Sequence, residues 1–219
     1  MIHPKAKFSV QGRLAVAENE TQPVAQIWGS RPEDIAGAAK LLPDMGYRAV
    51  DLNMGCPDPT VVKNGAGSDL IRHQDLAAQL VSAAKESGLP VSVKTRLGFY
   101  DPMEFRDWLP VILQQDVAVL TVHLRSRKEM SKAPAHFELI DEIVAMRDAI
   151  APNTLLQING DIKSRAEGEA LAQAHPGVDG IMIGRGIFEN PYAFEESPRQ
   201  HTLEESIALL KLQLDLFDE

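Results

Sequence analysis

The chain has 219 residues, 44% of them apolar, and a formal net charge of −9, which fits one large soluble domain or a domain with a fragment attached. The acidic balance, taken alone, argues against a general nucleic-acid binder. No apolar run reaches the length of a membrane span, the N-terminus carries no signal-peptide pattern, and the single cysteine excludes an internal disulfide, as suits a reducing cytosol.

Strand-like runs alternate with helix-like runs along the chain. The strands read Val24–Trp28, Ala49–Met54, Val91–Leu97, Val117–Leu124, Leu155–Asn159 and Gly180–Ile183. Apolar residues recur at helical spacing over Pro32–Met45, Asp75–Ser87 and Phe137–Ile150, and Gly46, Gly88 and Gly177 stand where helices should end. Repeated β-α units predict parallel strands with helices packed outside them.

Side-chain parity within the strands decides between two parallel architectures. Successive strand residues point to opposite faces. Val50, Leu52 and Met54 oppose Asp51 and Asn53; Val91, Val93, Thr95 and Leu97 oppose Ser92, Lys94 and Arg96; Leu120 and Val122 oppose Thr121 and His123; Leu156 and Ile158 oppose Gln157 and Asn159. A doubly wound sheet is apolar on both faces. A face that turns polar toward the C-terminal strand ends is what a β/α barrel needs, because its site sits there. The expected fold is therefore α/β, a TIM-type (β/α)8 barrel.

Gln26, Asn53, Cys56, Lys94, Arg96, His123, Asn159 and Arg185 converge at the mouth of such a barrel. Cys56 follows a strand and a glycine turn. It reads either as a reactive thiol or as a small buried hydrophobe, and paired with His123 it would make an activated nucleophile. Lys94 and Arg96 share a face, so an anion must compensate them: an anionic ligand, or Asp51. His123 reads as a ligand contact or as a satisfied core histidine. No histidine pair has metal-ligand spacing, and one cysteine builds no thiolate zinc site, so no metal is expected. Asn159-Gly160-Asp161 and Gly184-Arg185-Gly186 end the last two strands, where glycines let backbone N–H groups approach a phosphate. Barrels commonly bind phosphate after strands seven and eight. By that count the chain holds strands three to eight, with two units missing at its N-terminus. The basic run Arg125, Arg127, Lys128 and Lys132 reads by default as a solvated loop.

Asp51-Leu52-Asn53-Met54-Gly55-Cys56-Pro57, followed by Val62-Lys63-Asn64-Gly65-Ala66-Gly67-Ser68, resembles the tRNA-dihydrouridine synthases. Val93-Lys94-Thr95-Arg96-Leu97-Gly98, Thr121-Val122-His123, Asn159-Gly160-Asp161-Ile162 and Met182-Ile183-Gly184-Arg185-Gly186 match that family in the same order. The resemblance covers roughly Val24 to Phe194. It implies a cytoplasmic FMN-binding barrel with a C-terminal helical domain, reducing the 5,6 double bond of tRNA uridines with NADPH as the reductant. It implies Cys56 as proton donor; Gln26, Asn53, Lys94, His123, Asn159, Gly160, Asp161, Gly184 and Arg185 on FMN; and Lys63, Asn64, Arg96, Arg125, Arg127 and Lys128 on the tRNA. Residues 1–197 would be the partial barrel and 198–219 the start of the helical domain, with Leu203, Ile207, Leu210, Leu214 and Phe217 as its first stripe.

The chain departs from the family in two places. Leu124-Arg125-Ser126-Arg127 stands where the family usually has Gly-Arg-Thr after the histidine, and the family's opening Ala-Pro-Met strand is missing. A barrel short of two strands is expected to hold FMN weakly, to aggregate and to be a poor enzyme. The rival readings are another FMN barrel of the dihydroorotate or dihydropyrimidine dehydrogenase type, and a non-catalytic tRNA-binding remnant.

Overall fold

The computed structural model describes Val16 and residues 20–218. Its strands are β1 (Val24–Ile27), β2 (Ala49–Asn53), β3 (Val91–Arg96), β4 (Val119–His123), β5 (Leu155–Asn159) and β6 (Gly180–Met182), each within two residues of the run read from the sequence. They form one six-stranded sheet, paired in parallel and in chain order. A doubly wound sheet reverses its winding at a switch point, so its strand order departs from chain order. Here every crossover steps the same way, which is TIM-barrel construction. Among the described residues the sheet stays open, because β1 and β6 do not pair with each other.

Helices α1 (Pro32–Ala39), α2 (Pro59–Lys63), α3 (Gln74–Lys85), α4 (Phe105–Leu113), α5 (Ile140–Ile150), α6 (Arg165–Ala174) and α7 (Gly186–Glu189) follow the strands, and α8 (Leu203–Asp218) comes last. The helix expected over Pro32–Met45 stops at Ala39. Pro43 explains this: it has no N–H for the Ala39 carbonyl, and it biases the residue before it away from helix. The segment expected over Phe137–Ile150 opens as a 3-10 turn, Phe137–Leu139, before α5 begins. Gly46, Gly88 and Gly177 take φ of +89°, +74° and +105°, the left-handed geometry that ends a helix or turn.

The core lies between the helices and the outer face of the sheet. Val50, Leu52, Val91, Val93, Leu120, Val122, Leu156 and Ile158 pack there with Leu80, Val81, Phe105, Trp108, Ile112 and Ile143. In α6, Gly168 lets the helix lie directly on β6: a Cβ at that position would stand 2.6 Å from Ile181 Cγ1 and 3.3 Å from its Cβ. At the opposite end from the candidate site, buried Arg147 of α5 donates to the Thr154 and Gly177 carbonyls at 2.7 Å each and to Asp179 Oδ2 at 2.6 Å. Asp179 in turn accepts from the Leu156 amide at 2.8 Å, so one guanidinium ties the starts of β5 and β6 together. On α8, Leu203, Ile207, Leu210 and Leu214 are all exposed; the Phe217 side chain lies outside the described residues.

Candidate active site

The turn that carries Cys56 is held from both sides. On β2, Asn53 Oδ1 accepts from the amides of Gly55 (3.2 Å) and Cys56 (2.9 Å), the local bonding by which asparagine shapes a turn. Its own amide group donates to Gln26 Oε1 at 3.1 Å, and Gln26 Nε2 donates to Asp51 Oδ2 at 2.7 Å. On β3, the Thr95 hydroxyl donates to the Met54 carbonyl at 3.1 Å while accepting from Trp108 Nε1 at 2.9 Å. Arg96 Nε donates to the Gly55 carbonyl at 2.7 Å. Gly55 is needed because a Cβ there would press on the Thr95 backbone at 3.2 Å. Beyond the turn, the Ser68 amide donates to the Cys56 carbonyl at 3.0 Å, and Gly67, at φ +60°, leaves no room for a side chain beside that carbonyl. Cys56 is only half-buried, unlike a core cysteine.

Register brings the cations next to this turn. Asn53 pairs with Lys94, Lys94 with Thr121, Arg96 with His123, and His123 with Asn159. A cavity of about 440 Å³ opens there, lined by Lys94, Arg96, His123, Asn159, Gly160 and Arg185, among others. Asp51 forms no salt bridge with the lysine; its carboxylate takes hydrogen bonds from Gln26 and Ser92, and its charge offsets only part of what burial costs the ammonium. Burial, reinforced by the neighbouring Arg96 charge, pushes the Lys94 ammonium down to about 8. Burial likewise brings Arg96 down to about 10, with Arg125 adding to it. Such a cluster is under electrostatic stress that a bound anion would relieve.

Arg125 is buried against the cavity wall. It donates to the Ala133 carbonyl at 2.5 Å, approaches His123 Nε2 at 3.2 Å and pairs with Asp161 Oδ2. Burial, with Arg96, Lys94 and Arg125 adding repulsion, drives the His123 imidazole down to about 3, so the ring is neutral near pH 7. The Arg125 hydrogen bond holds the Asp161 carboxyl below its ordinary range. Gly160, at φ +129°, packs on His123 and Ala135, and Gly186 packs on the Ile162 and Lys163 backbone, where a Cβ would stand 2.9 Å from Lys163 Cα. The two late strand ends thereby make a close-set backbone cradle, with exposed Arg185 over it, 3.8 Å from Asp161 Oδ1.

The structure thus gathers Lys94, Arg96, His123, Arg125, Asn159, Gly160, Asp161, Gly184 and Arg185 around one cavity. Gln26 and Asn53 sit beside it on β1 and β2, linked to each other. Lys63, Asn64 and Lys128 are exposed outside it. The basic run does not behave as one solvated loop, because Arg125 is fully engaged inside. Ser131, Lys163 and Glu189 also line the cavity; they lie on loops and a short helix, where strand parity gives no signal.

Residues 1–214 match the family model described as Dihydrouridine synthase (Dus). The chain belongs to the Dus family. It is 54% identical over 217 residues to a probable tRNA-dihydrouridine synthase of Staphylococcus epidermidis, covering 99% of this chain and 66% of that protein. Against a probable tRNA-dihydrouridine synthase 2 of Bacillus subtilis the identity is 55%, with the same coverage of 99% and 66%. The Dus chain described here therefore spans just under two thirds of the length of these curated relatives. A sialic acid aldolase of Ruminococcus gnavus superposes with a TM-score of 0.48 at 14% identity, over 73% of this chain and 53% of that one, too faint a likeness to add to the Dus assignment. Among the described residues no helix is long and apolar enough to cross a membrane.

Proposed function

We propose that this chain is the catalytic part of a flavin oxidoreductase that reduces uridine in tRNA to 5,6-dihydrouridine, using FMN and NADPH. The observation that carries the reading is the tie between the Cys56 turn and the cationic cavity. Arg96 lines the cavity and bonds the turn, and Lys94 stands in register with Asn53.

The residues fit FMN. Five cationic side chains line the cavity, Lys94, Arg96, Arg125, Lys163 and Arg185, giving it a field suited to an anionic ligand, and a glycine cradle stands at Gly160 and Gly186 where a phosphate could meet backbone. When bound, the flavin supplies hydride to C6 of the uracil. The protein's own part is positioning and proton delivery. Cys56 would carry the proton destined for C5. Asn53 fixes the turn that presents it. Lys94 provides a cation preplaced for the negative charge of a reduced flavin, which favours that state. Gln26 and neutral His123 offer hydrogen bonds to the ring. Asn159, Gly160, Asp161, Gly184 and Arg185 would hold the phosphate. Arg96 and Arg125, expected on the tRNA, are instead buried and shape the cavity through the carbonyls they bond, while Lys63, Asn64, Arg127 and Lys128 would face the RNA. In this reading residues 1–197 are barrel, 198–219 open a helical tRNA-binding domain, and the enzyme works in the cytoplasm.

The test is flavin content and turnover together. The purified chain is saturated with FMN, freed of excess, and given NADPH and an unmodified tRNA transcript. Retained flavin absorbance and a gain of two hydrogens in specific uridines support the reading; a chain that retains no flavin overturns it.

A further inference from the structure

The loop after β3 is built with unusual economy of freedom, and what it presents outward is an aromatic ring. Glu104 accepts from three consecutive amides, Phe99 (2.6 Å), Tyr100 (3.1 Å) and Asp101 (3.1 Å). Gly98 faces the Asp101 carbonyl so closely that no side chain fits there. The loop is then fastened to the basic loop after β4, because the amides of Arg127 and Lys128 donate to the Gly98 and Phe99 carbonyls at 2.8 and 2.9 Å. Phe99 lies beneath, buried, with the Arg72 and Arg127 guanidiniums 4.2 and 5.2 Å from its ring centre. Tyr100 is left 57% exposed, in edge contact with Phe99 at 4.7 Å.

Charge around this ring is asymmetric in availability. Most nearby carboxylates are engaged: Asp69 by Arg72, Glu104 by the loop amides, and Glu129 by Ser126 and His136, while exposed Asp101, next to the ring, accepts from the Met103 amide and has no cation against it among the described residues. Lys128 is exposed and Arg127 half-exposed, and among the described residues neither has a carboxylate partner. The platform also shares a frame with the reactive turn. Arg96 donates to the Gly55 carbonyl and to the Ser126 and Met130 carbonyls at 3.3 and 2.9 Å, so one guanidinium ties the Cys56 turn to the basic loop.

We infer that Tyr100 is a stacking platform for an unpaired nucleobase of an RNA loop, a neighbour of the base being reduced, with Arg127 and Lys128 on the adjoining phosphates. A rigid aromatic flanked by free cations is the arrangement by which single strands are held without sequence readout. The inference rests on the RNA-modifying reading and deepens it: the substrate is a splayed single-stranded segment, not a free pyrimidine.

The experiment measures binding without turnover. The full 219-residue chain is titrated into a fluorescein-labelled oligouridine of ten nucleotides and, separately, into an RNA duplex of equal length, at low salt. Tyr100→Ala should weaken oligouridine binding about 5- to 100-fold, with Tyr100→Phe and Tyr100→Trp staying within about threefold of the parent and the duplex unaffected by any of them. Lys128→Gln should lower the salt slope of log K by about one. Wild-type affinity in Tyr100→Ala, an equal loss in Tyr100→Phe, or no RNA binding by the parent chain overturns the platform. Flavin retention in the same preparations keeps the two readings apart. Stacking without flavin would leave the platform and sink the enzyme assignment, while flavin without stacking would do the reverse.

Discussion

Arg125 Nη1 lies 3.2 Å from His123 Nε2. A guanidinium only donates, so Nε2 is the acceptor and the ring proton sits on Nδ1. The same arginine pairs with Asp161, so one buried cation sets both the tautomer of His123 and the position of a residue in the cradle.

Replacing Arg125 by Met should release that tautomer. In the parent, imidazole nitrogen shifts should report a single Nδ1–H form that stays neutral well below pH 6.5. In Arg125→Met they should report mixed forms and a higher pKa. Stability follows with a definite sign. The folded pKa of about 3 lies below the ordinary 6.5, so the unfolded chain binds the extra proton between those values. His123's contribution is complete above pH 6.5 and is lost as pH falls toward 3. Urea midpoints at pH 7 and pH 4.5 should therefore differ less in Arg125→Met than in the parent.

Cys56→Ala should keep the flavin and lose most dihydrouridine formation, because the turn is held by Asn53, Thr95 and Arg96 and not by the thiol. Flavin absorbance and nucleoside mass spectrometry on one preparation check both halves. Turnover like that of the parent would remove Cys56 from the chemistry.

With FMN bound as proposed, Lys94 should make the affinity depend on pH. Its ammonium sits at about 8, and an anionic ligand would pull that value back up. Binding then takes up a proton, and affinity should fall as pH rises above about 8, approaching tenfold per unit. Lys94→Met keeps much of the stem's packing, should bind FMN more weakly at pH 7, and should show little further loss by pH 9. Flavin titrations at both pH values decide it; a parent chain whose affinity is flat from pH 7 to 9 would assign Lys94 a structural role only.

Thr95→Val removes the hydroxyl that joins Trp108 to the Met54 carbonyl and leaves two buried polar groups unmet, at a cost of about 2 kcal/mol. The larger effect should be on the turn. With one cysteine in the chain, the rate of iodoacetamide alkylation reads Cys56 alone, and Thr95→Val should change it severalfold, with Thr95→Ser restoring the parent rate.

Strand parity made the inner face legible, because a period of two survives in any half-polar strand; Lys94, His123 and Asn159 were all visible that way. Residues that act through backbone carbonyls were not. Arg125 and Arg147 carry the same side chain as a solvated cation, and only the fold shows that each is closed over carbonyls and an aspartate. Helix α4 went unread because Pro110 sits inside its apolar spacing of Phe105, Trp108, Leu109 and Ile112, and α6 because it is polar, although Ser164 accepting from the Glu167 amide marks its start. Strand ends and glycine turns are local chemistry; a guanidinium's partners come from distant parts of the chain.

Gly168 inverts an ordinary rule of protein engineering. Glycine inside a helix is normally the first residue a stabilisation campaign replaces, since alanine gains about 1 kcal/mol in helix propensity and stiffens the unfolded chain. Here the added methyl would enter the space of the Ile181 side chain, and a β-branched residue has few rotamers into which to retreat. The exchange would push α6 off the sheet's last strand, so a thermostabilised version of this chain must leave that glycine alone and look for its gains on the solvent faces of α3 and α5.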